Sequence, residues 1–481
     1  MKLMTSLIGV IAHTALLATL QAADAPYAVK PAQQELFVDD VLISEQSGLT
    51  YTAHACEKLD RPVVDADKPW EKNRVYLYGT VERDAETGRF RMWYSGGGLA
   101  YAESGDGINW TKPELDFHEH KGQKTNLLVT GSNLACVVLD PTSADPAKKY
   151  KLLDNTEHYN FIGFYSADGF EWHKYEQEPL IGFGSELVNA FRDPATGRYF
   201  AYIRPYLPKH YPKSVKEKRL VAVTTSDDFV NWSPMKVIVE PDSVDDAWVT
   251  NEEQRTEFYS MSGFRYGSQY LGLLPVFKIT KIYEEKQPLQ SKYEGPIEAE
   301  LVHSRDGLAW ERAADRSPVI PAGPYGYDAG CIMNVSNLPV MVGDEVWYYY
   351  TALSTTHGGT IPDKRATIGL AKWRLDGFVS RDAGEAGGEL TTVPLRLPQG
   401  MLSLNADATG GEIRVALLDV NGQPVPGYAL EDCTPITGDS VRHAVTWRER
   451  NEVPTGEDVR IRIVATNADL YSFQVQPKST P

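Results

Sequence analysis

The sequence predicts an all-β protein: a five-bladed β-propeller followed by a C-terminal β-sandwich. Three observations carry that prediction. A phrase of Ser, a spacer, Asp, usually Gly, two more residues and Trp is written four times, as SGDGINW from Ser104, SADGFEW from Ser166, TSDDFVNW from Thr225 and SRDGLAW from Ser304. Each copy follows an aromatic-rich stretch, a connection and a stretch of small or β-branched residues, the composition of two paired strands. Hardly any segment of this region sustains the 3.6-residue apolar period of a helix.

Taken in chain order, residues 1–23 have one early Lys, an uncharged apolar run and small residues at Ala22 and Ala23. That is the layout of a secretory signal peptide, so a secreted or periplasmic location is expected. No later segment offers the ~20 apolar residues of a transmembrane helix. The aromatic strands start at Phe90, Tyr150, Tyr199, Tyr270 and Val346. A spacing of about fifty to eighty residues fits strand-rich blades and is too long for a helical solenoid. One more strand and a turn precede each start and supply the inner strand of a blade. The fifth unit, EVWYYYTALS and ATIGLAKWRLDGF, keeps its strands and lacks the phrase. In the phrase itself, Asp accepts backbone N–H groups at a tight reversal, Gly tolerates positive φ and the Trp ring folds back over the hairpin. Its aspartates are read as structural.

The propeller is assigned to residues 35–382 and the sandwich to 386–478, where short alternating strands include an Asn-Gly hairpin signal at Asn421. The strand in ELFVDDVLI closes the propeller or lies on the sandwich; the pattern leaves both open. A formal charge of −17 without a basic run argues against nucleic acid. Four dispersed cysteines imply neither a disulfide framework nor a cysteine zinc site. Tyr (26) outnumbers Phe (15), which suits sugar stacking and equally the packing of a large β protein.

Aligned by their aromatic strands, the blades place Glu186 and Glu257 at one offset, thirteen residues before Tyr199 and Tyr270. Asp328 opens the last inner strand similarly. Three carboxylates converging on a channel are what glycoside hydrolysis asks for, one as acid, one as base or nucleophile and one to orient. The expected roles are Glu257 as general acid, Glu186 as orienting carboxylate and Asp328 as base or nucleophile. Against this stands the ordinary fate of acids at strand ends, which is to be solvated or to cap loops. Trp70, Arg74 and Tyr78, with the loop residues His158 and His357, are candidate substrate contacts. No cofactor is required, and a structural calcium is compatible with the acidic chain without being implied by any motif.

These features resemble the secreted glycoside hydrolases of the invertase/levanase and arabinanase/xylosidase type. LFVDDVLI, RFRMWYSGG and LYSFQV are similar to phrases of family-32-like bacterial glycosyl hydrolases. The resemblance covers nearly the whole mature chain and implies a carbohydrate substrate and O-glycosyl hydrolysis. The chain departs from it in having no Asn-Asp-Pro nucleophile and no Glu-Cys acid, Glu257 being followed by Phe258. Arg192, Asp193 and Pro194 spell the middle motif, but at ~3.3 Å per residue Asp193 lies about 23 Å along the strand from Glu186, and the triplet reads as a turn. A non-catalytic carbohydrate-binding propeller is the alternative reading, and a structural or protein-binding propeller the third.

Overall fold

The computed structural model describes residues 25–132, 134–156, 160–206, 218–287 and 290–477, with side chains 185–187 outside that description. His158 and residues 1–23 therefore lie outside the described residues. The described chain is all-β, with two three-residue 3-10 turns, Pro69–Glu71 and Pro146–Lys148, and no α-helix.

Five successive strand groups follow one another. The aromatic strands Phe90–Ser95, Tyr150–Asn155, Tyr199–Pro205, Gln269–Ile279 and Glu345–Leu353 each pair antiparallel with an earlier and a later strand of their own group. The last group is completed from the other end of the sequence, because Glu57–Lys58 pairs with Ala366–Arg374 at Lys58↔Ala371. That contact closes the array.

The inner strands are tied to one another in a ring. Thr80 Oγ1 donates to the Val137 carbonyl, and the Ala190 amide donates to Cys136 Sγ (3.3 Å). Asn189 Nδ2 donates to Met261 O (3.0 Å), Ser260 Oγ to Asn334 Oδ1 (2.8 Å), and Asn334 Nδ2 to Leu77 O (3.0 Å). Asn337 reaches across from the fifth group to Val137 O and Ala190 O. All three asparagines are buried, and their amides satisfy carbonyls that inner strands leave unpaired at an axis. The axis is thus filled at mid-height by amide groups.

The repeated phrase builds one turn four times. Asp106 accepts from the amides of Ile108 (2.8 Å) and Asn109 (2.7 Å), Ser104 accepts from Gly107, and Trp110 donates its indole N–H to Gly107 O. Asp168, Asp228 and Asp306 repeat the Asp contacts. Arg192–Asp193–Pro194 is likewise a turn, with Asp193 accepting from Ala195 and Thr196 and from the Tyr270 hydroxyl of the next group.

The C-terminal strands, together with strands from the N-terminal segment, form one continuous 11-stranded hydrogen-bonded network. The 18-residue strand Met401–Leu418 causes this, pairing with Ala468–Gln476 in its first half and Asp458–Thr466 in its second, so that one strand serves both sides of the core. Phe37, Leu404, Val415, Trp447, Ile463 and Phe473 fill that core. ELFVDDVLI is settled too. Glu35–Leu36 and Ile43–Ser47 pair with Ala468–Gln476 and Gly388–Thr392, and Leu49–Ala53 with Val379–Ala383, so these strands join the C-terminal sheet. A cleft of about 610 Å³ runs along the seam between the two regions. Its charges neutralise one another, as in Arg305–Asp39 and Arg381–Asp40, so it reads as a packing seam. The four cysteines are free. Among the described residues no helix is long and apolar enough to cross a membrane.

Candidate active site

The inner strands open at one end of the axis, and there the side chains change character from amide to aromatic and cationic. Tyr78, Tyr259, Phe277, Ile297, Cys331 and Ala366, from three strand groups, pack into one buried cluster with Tyr76 and Tyr293 beside it. Glu257, on Arg255–Phe258, is fully buried. Its Oε2 accepts from Arg219 Nη1 and its Oε1 from Arg255 Nε (2.7 Å). The Arg219 guanidinium lies over the rings of Tyr293 (5.0 Å), Tyr259 (5.4 Å) and Phe277 (5.5 Å), where the ring faces favour a cation.

This arrangement alters the role expected of Glu257. A general acid must hold a proton for a leaving group, whereas both oxygens of Glu257 are already taken by guanidinium donors. It is an anchor for two arginines. Asp328 is also buried, and its Oδ2 meets Lys58 Nζ (2.7 Å) and the Tyr350 hydroxyl (3.1 Å). Lys58 additionally donates to the carbonyls of Pro321 and Gly323. Asp328 therefore ties the closing strand to the connection before the fifth group. Glu257 and Asp328 share no hydrogen-bonding partner among the described residues. Glu186 lies on Gly184–Arg192, in an irregular stretch where Gly184 pairs with Pro205 and Val188 already with Ile203, two extra residues being accommodated between them. Such bulges re-aim side chains and gather beside functional sites.

The candidate substrate contacts divide similarly. Trp70 is buried in the core of the first group, its indole N–H donating to Asn126 Oδ1 (3.0 Å), which leaves no face for a sugar. Tyr78 belongs to the axial cluster, and Arg74, half-buried, bridges by its backbone to Ala366 at the cluster's edge.

His357 is buried rather than solvated. Nδ1 lies 3.0 Å from the Tyr293 carbonyl, which can only accept, so Nδ1 carries the proton and Nε2 accepts from the Tyr259 hydroxyl (3.3 Å). Burial holds its pKa down at about 3, with the Arg219, Lys364 and Arg204 cations working in the same direction. A neutral imidazole with both nitrogens engaged orients Tyr259; it offers no free nitrogen to a ligand. Lys364, buried on the same loop, donates to the His357 carbonyl, and its pKa is lowered by burial with Arg74 adding to the effect. The loop packs so closely that a Cβ on Gly358 would lie 2.2 Å from Glu294 Oε2.

Arg219, Tyr259, Tyr293 and Lys364 were not among the sequence candidates. Their signal was present: Arg219 and Lys364 precede strands at the same end of the axis as the candidate glutamates. Among the described residues no three His, Cys, Asp or Glu side chains are grouped to hold a metal ion.

No family model and no curated protein matches this chain. Solved structures similar to it include an N-acetylgalactosamine deacetylase from F. plautii in complex with blood group B trisaccharide, at 12% identity and TM-score 0.41 over 74% of this chain and 96% of that one. The catalytic domain of Coprinopsis cinerea GH62 α-L-arabinofuranosidase is similar at 12% identity and TM-score 0.42, over 66% and 97%. A Bombyx mori GH32 β-fructofuranosidase is similar at 11% identity and TM-score 0.37, over 88% and 95%.

Proposed function

We propose that the chain is an exported carbohydrate-active hydrolase that cleaves glycosidic bonds at the aromatic and arginine-lined end of its propeller axis. The observation that carries this reading is Glu257 holding Arg219 and Arg255 in fixed geometry beside the half-buried rings of Tyr76 and Tyr293, the part of the aromatic cluster that a sugar can reach. Glu257 positions Arg219 and Arg255. Glu186 is the carboxylate proposed to act on the glycosidic oxygen, supported by the bulged backbone that carries it at the mouth of its inner strand. Asp328 is assigned a structural role.

One observation favours a second reading, carbohydrate binding without turnover: two of the three candidate acids are committed to buried ion pairs. Incubating the purified chain with a panel of plant and algal glycans, beside Glu186→Gln, separates the two. Hydrolysis requires product from the native chain and a loss of about 10²-fold or more in the variant. Retained glycan affinity with no product from either protein would establish the binding reading.

A further inference from the structure

The sequence has 65 acidic and 48 basic residues, yet at this end Arg219 and Arg255 lie over the rings of Tyr259 and Tyr293 and Arg74 and Lys364 lie at the Ala366 edge, with the carboxylates Glu257 and Glu294 among them. Glu257 answers two of them, Arg219 and Arg255. On the neighbouring loop position, Arg365 has its own acid, Asp65 at 2.8 Å. Lys364 does not. Lys364 is buried and its ammonium donates to the His357 carbonyl, and among the described residues no carboxylate forms an ion pair with it. The nearby acid, Glu294, instead accepts from the Tyr283 hydroxyl (3.2 Å) and packs against Gly358. Arg74, whose backbone bridges to Ala366 two residues along from Lys364, hydrogen-bonds Tyr76 and has no ion-pair partner among the described residues. Buried cations are ordinarily paired, and a neutral sugar, recognised through hydroxyls and ring faces, supplies no anion.

Resting on the hydrolase reading, we infer that the glycan bound here is anionic, and that Lys364 and Arg74 receive a carboxylate or sulfate carried by the sugar. The guanidinium of Arg74 can accept such a group in bidentate fashion, and the Lys364 ammonium acts as a point charge beside it.

Titration calorimetry of the full chain tests this with three probes: a tetragalacturonate for the uronate source, a κ-carrageenan tetrasaccharide, sulfated and free of uronate, for the sulfate source, and a neutral galactotetraose. The expected result is binding of one or both acidic probes that weakens as salt is raised. Lys364→Met should lower that affinity by about tenfold or more, the contribution of one charge-assisted hydrogen bond, and leave the neutral probe unaffected. Arg74→Gln gives a second variant should the first unfold, and melting curves identify that case. Equal binding of the neutral probe with no effect of either variant overturns the inference, as does absence of acidic binding. Cleavage is followed separately: an acidic probe bound and not cleaved refutes hydrolysis while sustaining the charge preference, and a neutral glycan cleaved without acidic preference does the reverse.

Discussion

The hydroxyl of Tyr349, in the fifth strand group, donates to the carbonyl of Gly107 in the first (2.8 Å), so the turn of one group is bonded to the sheet of the group before it around the ring. The same relationship recurs as Trp93 to Gly169 (2.8 Å) and Tyr202 to Gly307 (3.1 Å). The repeated phrase therefore does two things: it reverses the chain, and it presents a carbonyl to a neighbouring aromatic residue. At Gly107 the site is too crowded for a side chain, since φ is +73° and a Cβ would lie 2.7 Å from the Tyr349 hydroxyl and 2.9 Å from Phe90 and Trp347, whereas the third copy carries Phe229 at the equivalent position with φ +68°.

Gly107→Ala should consequently destabilise the protein by about 2–4 kcal/mol, combining left-handed backbone strain with overpacking. Gly105→Ala, two residues away with nothing within 4 Å of the added methyl, is the matched control and should leave the melting temperature nearly unchanged. Equal melting temperatures for the two variants would remove the inter-group role from the turn.

The legible part of this fold is the part governed by local chemistry. Phe90, Tyr150 and Tyr199 begin strands as expected, and Tyr270 and Val346 fall one residue inside theirs, because turn residues and aromatic strands are written within a few positions of each other. The partners of buried charges were not legible. Lys58 meets Asp328 from 270 residues away, and nothing near either residue announces the other. Glu186 and Glu257 both lie on inner strands, Gly184–Arg192 and Arg255–Phe258, but that Arg219 would meet Glu257 depended on a residue from the neighbouring group.

Asp328 yields a prediction that separates structure from catalysis. Removing one member of a buried ion pair leaves the other uncompensated, which costs about 3–5 kcal/mol. Lys58→Met and Asp328→Asn should both lower the denaturation midpoint in urea strongly. An Asp328→Asn protein with native stability and no turnover would instead return Asp328 to the catalytic machinery.

On the C-terminal sheet four aspartates lie in a row across adjacent strands: Asp382 opposite Asp469, Asp469 opposite Asp407, and Asp407 opposite Asp439. Half-burial, with repulsion from Asp382 and Asp407, raises the Asp469 pKa to about 6. The folded state then holds this proton more tightly than the unfolded chain, so its contribution to stability falls as pH rises from about 4 to about 6 and stays low above that. Discounted for solvent screening, Asp469→Asn should stabilise the protein by about 1 kcal/mol at pH 7.5 and by much less at pH 4. Urea midpoints at the two pH values read this difference; an equal change at both would reject it.

His357 acts with the opposite sign. Its pKa is about 3 in the folded chain against an ordinary value of about 6.5, so below pH 6.5 the unfolded state gains a proton that the native imidazole refuses. Stability should be lost as pH falls through that window, by at most about 1.4 kcal/mol per pH unit for a single proton. Asp469 opposes this between pH 4 and 6, and the native chain shows only the difference. Asp469→Asn should therefore steepen acid unfolding, whereas His357→Gln, whose amide retains a donor for the Tyr293 carbonyl, should flatten it. Denaturation midpoints measured from pH 4 to 7.5 on both variants test the pair together. If His357→Gln leaves the slope unchanged, the imidazole is not held neutral, and the orientation of Tyr259 by Nε2 fails with it.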